Sequence, residues 1–122
     1  MPHVTIEYSS NVTQDIDGKL LLSEVSSIVS AAGEITAGNF KSRLLRRDEY
    51  HVGEGSGRDA FVHVEIGVFS GKPSEVKRRI GEDCLDYLEE YFSEAAGELS
   101  LQITVEIREI DEGGYFKSTP GG

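Results

Sequence analysis

The sequence predicts an α+β fold, an α/β sandwich in which a four-stranded sheet carries two helices on one face. Three observations support this. Val4, Ile6 and Tyr8 alternate with Thr5, Glu7 and Ser9 at the period of a half-buried strand, and "AFVHVEIGVF" repeats that pattern from residue 60. Two longer stretches carry apolar residues at helical spacing, each as a single stripe. The order strand–helix–strand then occurs twice, in pieces of comparable length with little identity between them.

Taken in order, "PHVTIEYS" is the first strand, and Pro2 suits its opening position, where a missing N–H costs nothing. "NVTQDIDGKLLLSEVSSIVSAAG" follows with Leu21, Leu22, Val25, Ile28, Val29 and Ala32 on one side, and Gly33 stands where a C-terminal cap is expected. "AGNFKSRLLRRDEY" reads as a strand of about ten residues. In the third strand Val62, Val64, Ile66 and Val68 face one way and Phe61, His63 and Glu65 the other. Pro73 and Ser74 open a second helix expected to run to about Ala96, with Val76, Ile80, Cys84, Leu88, Tyr91 and Phe92 inward. "LSLQITVEIREI" alternates as a last strand, and a Gly-rich tail closes the chain. Apolar groups on the final strand and on the Phe61 side predict that other subunits cover the second sheet face, hence an oligomer.

The 122 residues suit one domain, 1–122. No apolar run approaches the roughly 18 residues of a membrane span, so no membrane partner is expected. No basic start followed by an apolar stretch suggests a secretory signal. Cys84 is the lone cysteine, and a reducing, cytoplasmic compartment is the expectation. The formal charge of −10, from 22 acids against 12 Lys and Arg, repels a phosphate backbone and argues against nucleic acid. In so acidic a chain, an anionic ligand requires its few cations to be gathered in one place.

Several motifs have ordinary readings. "GEGSG" leads into a strand and contains Glu54, whereas a phosphate cradle leads into a helix N-terminus. His63 and Glu65 share a strand face, but no spaced third His or Cys completes a metal site, so no metal is expected and a histidine bonded within the sheet is favoured. Cys84 lies in an apolar stripe and reads as a small hydrophobe. Glu89-Glu90 and Asp111-Glu112 read as solvated charge. The cations are more telling. Lys41 and Arg43 lie two apart on one strand face, Arg46 and Arg47 follow, and Lys72 sits in the turn before the second helix, whose N-terminus adds partial positive charge.

"MPH" at the start, "KSR" at 41–43, "DAFVHVEIGVFSGK" at 59–72 and "YFK" at 115–117 resemble the 5-carboxymethyl-2-hydroxymuconate isomerases of the tautomerase superfamily, almost end to end. The resemblance implies two consecutive βαβ units, at about 2–50 and 59–109, related by a pseudo-twofold in a mixed sheet, with a tail over 110–122. It implies a homotrimer and a cofactor-free proton shift in a small anionic substrate, an enolic di- or tricarboxylate of homoprotocatechuate catabolism. It makes Pro2 the catalytic base once Met1 is removed, and Lys41, Arg43 and Lys72 the substrate-binding cations. Lys41 and Lys72 fall where the family has arginines, replacing a planar two-pronged fork by a compact, rotatable charge. Two rivals remain at this point: a non-catalytic trimeric binding or structural protein on the same scaffold, and a ferredoxin-like module sharing the element order.

Overall fold

The computed structural model describes residues 1–122. Its elements are β1 (His3–Ser9), α1 (Gly18–Gly33), a 3₁₀ turn (Ala37–Asn39), β2 (Lys41–Arg47), β3 (Asp59–Phe69), α2 (Ser74–Tyr91), α3 (Ser93–Glu98), β4 (Ser100–Ile110) and a second 3₁₀ turn (Glu112–Gly114). The sheet order is β2-β1-β3-β4. β1 pairs with β2 and β3 with β4 in parallel, while β1 and β3 meet antiparallel at the centre. The sheet is therefore mixed, and each βαβ unit keeps its two strands as immediate neighbours. A ferredoxin-like module splits that unit with an intervening strand, so the topology excludes it.

Alternation along the strands decides what is buried. Val4, Ile6, Val62, Val64, Ile66 and Val68 point to the helices and are almost wholly inaccessible, and Leu21, Val25, Val29, Ile80, Cys84, Leu88 and Phe92 meet them from above. Full burial of each large side chain in this core contributes about 1.5–3 kcal/mol. The apolar row of β4 also belongs to this layer. Leu101, Ile103, Val105 and Ile107 stand in register with Ala60, Val62, Val64 and Ile66, so they extend the core at the sheet edge and leave the far face mostly polar.

Three local expectations change. α1 starts as its sequence suggests, with the Asp17 carboxylate accepting from the Leu20 N–H at 3.2 Å, but it ends one residue late. Gly33 is still helical, and Glu34 takes the left-handed position at φ 54°, ψ 47°. Gly33 permits close approach: a Cβ there would stand 3.0 Å from the Cδ1 atoms of both Ile35 and Ile80, so those side chains would have to shift by a few tenths of an ångström. The second strand is seven residues long because Ala37–Asn39 coil into a 3₁₀ turn first. The second helix breaks at Phe92, whose buried ring anchors the junction while α3 continues to Glu98.

Candidate active site

Because β1 and β3 run antiparallel, the start of β1 lies beside the end of β3. The α1 terminus and the turn into α2 close over that corner and leave a cavity of about 480 Å³. Pro2, Glu34, Ile35, Asn39, Phe69 and Lys72 are among its walls, and Pro2 itself is buried. The Lys41 N–H donates to the Pro2 carbonyl at 3.2 Å, which fixes the chain start to the head of β2.

Of the sequence-predicted residues, Pro2 and Lys72 line the cavity directly. Lys72 Nζ donates to the Gly33 carbonyl at 3.0 Å, a favourable place for a cation because α1 ends there with its negative dipole pole. Lys41 Nζ donates to the Asn39 carbonyl at 3.0 Å, at the rim. Arg43 shares Lys41's sheet face, as its spacing predicts, but its guanidinium is engaged away from the cavity walls. It reaches His3 Nδ1 at 2.9 Å and Thr5 Oγ1 at 3.4 Å.

The sequence pattern missed the other contributors. Tyr115 hydroxyl lies 2.9 Å from His3 Nε2, and its ring stands edge-on to Phe69 with centroids 5.4 Å apart, so the tail folds back over this corner. Lys117 Nζ then reaches Asn39 Oδ1 at 3.4 Å. The quoted "YFK" run was the available signal, although a period-based reading gives a tail no partner.

Electrostatics sets this corner apart. Arg46, Arg47, Lys77, Arg78 and Arg108 pair with carboxylates elsewhere, whereas Lys41, Arg43, Lys72 and Lys117 make no ion pair and gather at this corner; Lys19, Arg58 and Arg79 are the remaining cations without an ion pair. The terminal amino group is held below its ordinary value, first by burial and then by the charges of Lys41 and Lys117. His3 is likewise lowered, by burial, then Arg43, the amino terminus and Lys41. An arginine can only donate, so His3 Nδ1 accepts and Nε2 carries the hydrogen donated to Tyr115.

Elsewhere, His63 is bonded within the sheet and Cys84 lies in the core. His63 bonds Thr104 at 2.6 Å and approaches Glu106 at 3.3 Å on the adjacent strand. Glu106 does bring a third potential ligand beside His63 and Glu65, which sequence spacing could not reveal, but Arg108 already bridges both carboxylates. Cys84 is buried, and burial followed by Asp83 pushes its thiol up to about 12, which makes it inert. No helix is long and apolar enough to cross a membrane.

The family model described as 5-carboxymethyl-2-hydroxymuconate isomerase matches residues 2–120. A 5-carboxymethyl-2-hydroxymuconate Delta-isomerase of Escherichia coli is 25% identical over 117 residues, covering 96% of this chain and 93% of that protein. The crystal structure of a 5-carboxymethyl-2-hydroxymuconate isomerase from Deinococcus radiodurans R1 superposes with a TM-score of 0.86 at 28% identity, covering 96% of this chain and 88% of that one. A fused 4-OT solved as a symmetric trimer shares the fold at a TM-score of 0.72 and 14% identity, over 98% of this chain and 93% of that one.

Proposed function

This chain belongs to the 5-carboxymethyl-2-hydroxymuconate isomerase family, and on that premise we propose that it moves a proton within a carboxylated 2-hydroxymuconate, from the enol to the 2-oxo isomer, without a cofactor. The observation that carries this reading is a buried Pro2 in the wall of a cavity that also holds Lys72, with the ammonium groups of Lys41 and Lys117 on the wall residue Asn39 and none of the three paired with a carboxylate.

With Met1 attached, the Pro2 nitrogen is an amide and has no lone pair for a proton. Removal of Met1 turns it into a secondary amine at the same place. A free α-amine ordinarily titrates at about 7.7–8.0, and a proline amine somewhat higher. Burial and the charges of Lys41 and Lys117, which already depress the terminal amino group, disfavour the ammonium form and favour a neutral base near neutral pH. The base takes the proton of the enol hydroxyl, the O–H electrons become the carbonyl π bond, and the double bonds shift along the chain. The proline ammonium then returns its proton to the distant carbon, so Pro2 ends as it began. Its ring fixes the nitrogen's direction, which keeps motion small between the two transfers. Lys41 and Lys72 hold the substrate carboxylates and accept charge developing on the dienolate, and Arg43 adds positive potential from its place beside His3.

We assign the substrate to the tricarboxylate and dicarboxylate enols of homoprotocatechuate-type ring cleavage, and the working assembly to a homotrimer. The test couples intact mass, which reads Met1 removal, to ultraviolet absorbance of enolic substrates. The processed chain is expected to isomerise them, and a chain retaining Met1 to lose at least about 10²-fold, the low end of a general base's contribution. Equal turnover by the blocked chain overturns the mechanism. A trimer with a permanently blocked terminus and no turnover would instead be the non-catalytic binding protein.

A further inference from the structure

We propose that Lys117 is a substrate-carboxylate ligand, delivered to the cavity mouth by a tail that an Arg43–His3–Tyr115 chain pins to the sheet. The proposal rests on reading the Pro2 cavity as the isomerase site and names a residue that recognises the substrate there.

Three observations converge on it. First, Lys117 lies in an irregular tail, yet its ammonium is brought to Asn39, a cavity wall residue, by a single 3.4 Å contact with a neutral oxygen. In a chain with 22 acids, an ammonium left with only one long neutral partner beside a cavity retains its charge for a ligand. Second, the tail is held two residues earlier. Tyr115 accepts from His3 Nε2 at 2.9 Å and packs against Phe69, another wall residue. His3 is in turn oriented by Arg43 at 2.9 Å from Nδ1. Arg43 thus acts as a positioning residue, with its donors turned toward His3 and Thr5. Third, Lys41, Lys72 and Lys117 give three unpaired ammonium groups around one cavity, matching three carboxylates on a tricarboxylate substrate. Glu34, also in the wall, opposes an anion there and raises the need for a third cation.

The test separates recognition from chemistry. Binding of trans-aconitate, an unreactive unsaturated tricarboxylate, and of trans,trans-muconate, a dicarboxylate, is measured by calorimetry on the processed chain and on Lys117→Met, Lys117→Arg and Tyr115→Phe. Enol turnover is followed on the same samples. Loss of one charge-assisted contact predicts about tenfold weaker trans-aconitate binding by Lys117→Met, with trans,trans-muconate changed less than about twofold. Lys117→Arg should restore binding, and Tyr115→Phe, which keeps the ring and only weakens the tether, should fall between. These results support the proposal even if no sample turns over an enol, in which case only the isomerase reading fails. If Lys117→Met binds trans-aconitate as the parent does, or the parent binds none, the proposal is overturned whatever the turnover.

Discussion

The pseudo-twofold gives this molecule two equivalent corners, and they have opposite chemistry. At one, the start of β1 meets the end of β3 around a cavity of about 480 Å³ with Pro2, Lys72 and a fringe of unpaired ammonium groups. At the other, the start of β3 meets the end of β1 beside a smaller cavity of about 290 Å³ walled by Ser10, Asp48, His51, Ser56 and Asp59. The backbone supplies both corners through the same antiparallel pairing. Only the first has Pro2 in its wall, and there Lys72 is joined by the ammonium groups of Lys41 and Lys117, which both reach Asn39, whereas the second is walled by Asp48 and Asp59. The fold therefore provides two such places, and the proposed function assigns the chemistry to the side chains at one of them.

The sharpest way to break this comparison is to alter the same layer at both ends. Pro2→Ala leaves a primary amine with a freer direction, and we expect kcat/KM to fall about 10²-fold on an enolic di- or tricarboxylate. Asp59→Ala, at the opposite corner, should leave the rate within about twofold. Comparable losses from both would mean that the corners are not chemically distinct. Next in size is Lys72→Met, which removes a charge-assisted contact worth about 1.5–3 kcal/mol and should raise KM roughly tenfold or more with a smaller change in kcat. Lys72→Arg keeps the charge and tests whether a planar fork sharpens discrimination among carboxylates.

A smaller effect comes from the one non-glycine residue with a positive φ. Glu34 closes α1 in the left-handed region, while α3 enters β4 through Leu99 in extended backbone, so strain sits at the Pro2 corner alone. Left-handed backbone costs an L-residue roughly 1–2 kcal/mol, and glycine gives back about 0.5–1 kcal/mol in unfolded-chain entropy. Glu34→Gly should therefore stabilise the fold by about 0.5–1 kcal/mol in urea unfolding. It also removes a carboxylate from the cavity wall and should lower KM for anionic enols. Unchanged stability would show that the strain is already relieved by the Ser30 carbonyl, which accepts the Glu34 N–H.

How far the sequence could have led to this contrast differs between its parts. Strand faces and helix stripes were legible because burial imposes periods of two and 3.6 residues, and Val62 through Val68 or Leu21 through Val29 obey them closely. The place of Pro2 at the head of β1 was legible from the strand period, while the catalytic role proposed for it comes only from the resemblance. The break at Phe92 was hidden because the apolar stripe runs through it, with Leu88, Phe92 and Ala95 all buried on one side. Period two on β2 correctly put Lys41 and Arg43 together, but it could not say that His3 would engage Arg43 from the next strand. Tyr115 and Lys117 were least legible, since they reach the corner through a tail with no period of its own and their partners are 112 and 78 residues away in the chain.

The smallest expected effect concerns pH, and it too separates the corners. The Arg43–His3–Tyr115 chain requires neutral His3, because a hydrogen on Nδ1 would point at the guanidinium. The groups facing this imidazole are Arg43, the amino terminus and Lys41, all positive, together with Tyr115, and with burial they lower its pKa from the ordinary 6.5. The fold therefore favours the uncharged ring. Its contribution to stability is complete above about pH 6.5, the ordinary unfolded value, and is lost as pH falls through the lower folded value. His3 is only partly buried and solvent screens the effect, so the loss should be small. NMR titration should give a midpoint for His3 below 6.5, with the Tyr115 ring signals moving at the same midpoint as the tail is released. His3→Gln should abolish that coupled movement. A His3 midpoint at or above the ordinary value would mean that the cations at this corner exert no net field on the ring beside Pro2, which would remove the electrostatic basis for a neutral proline amine there.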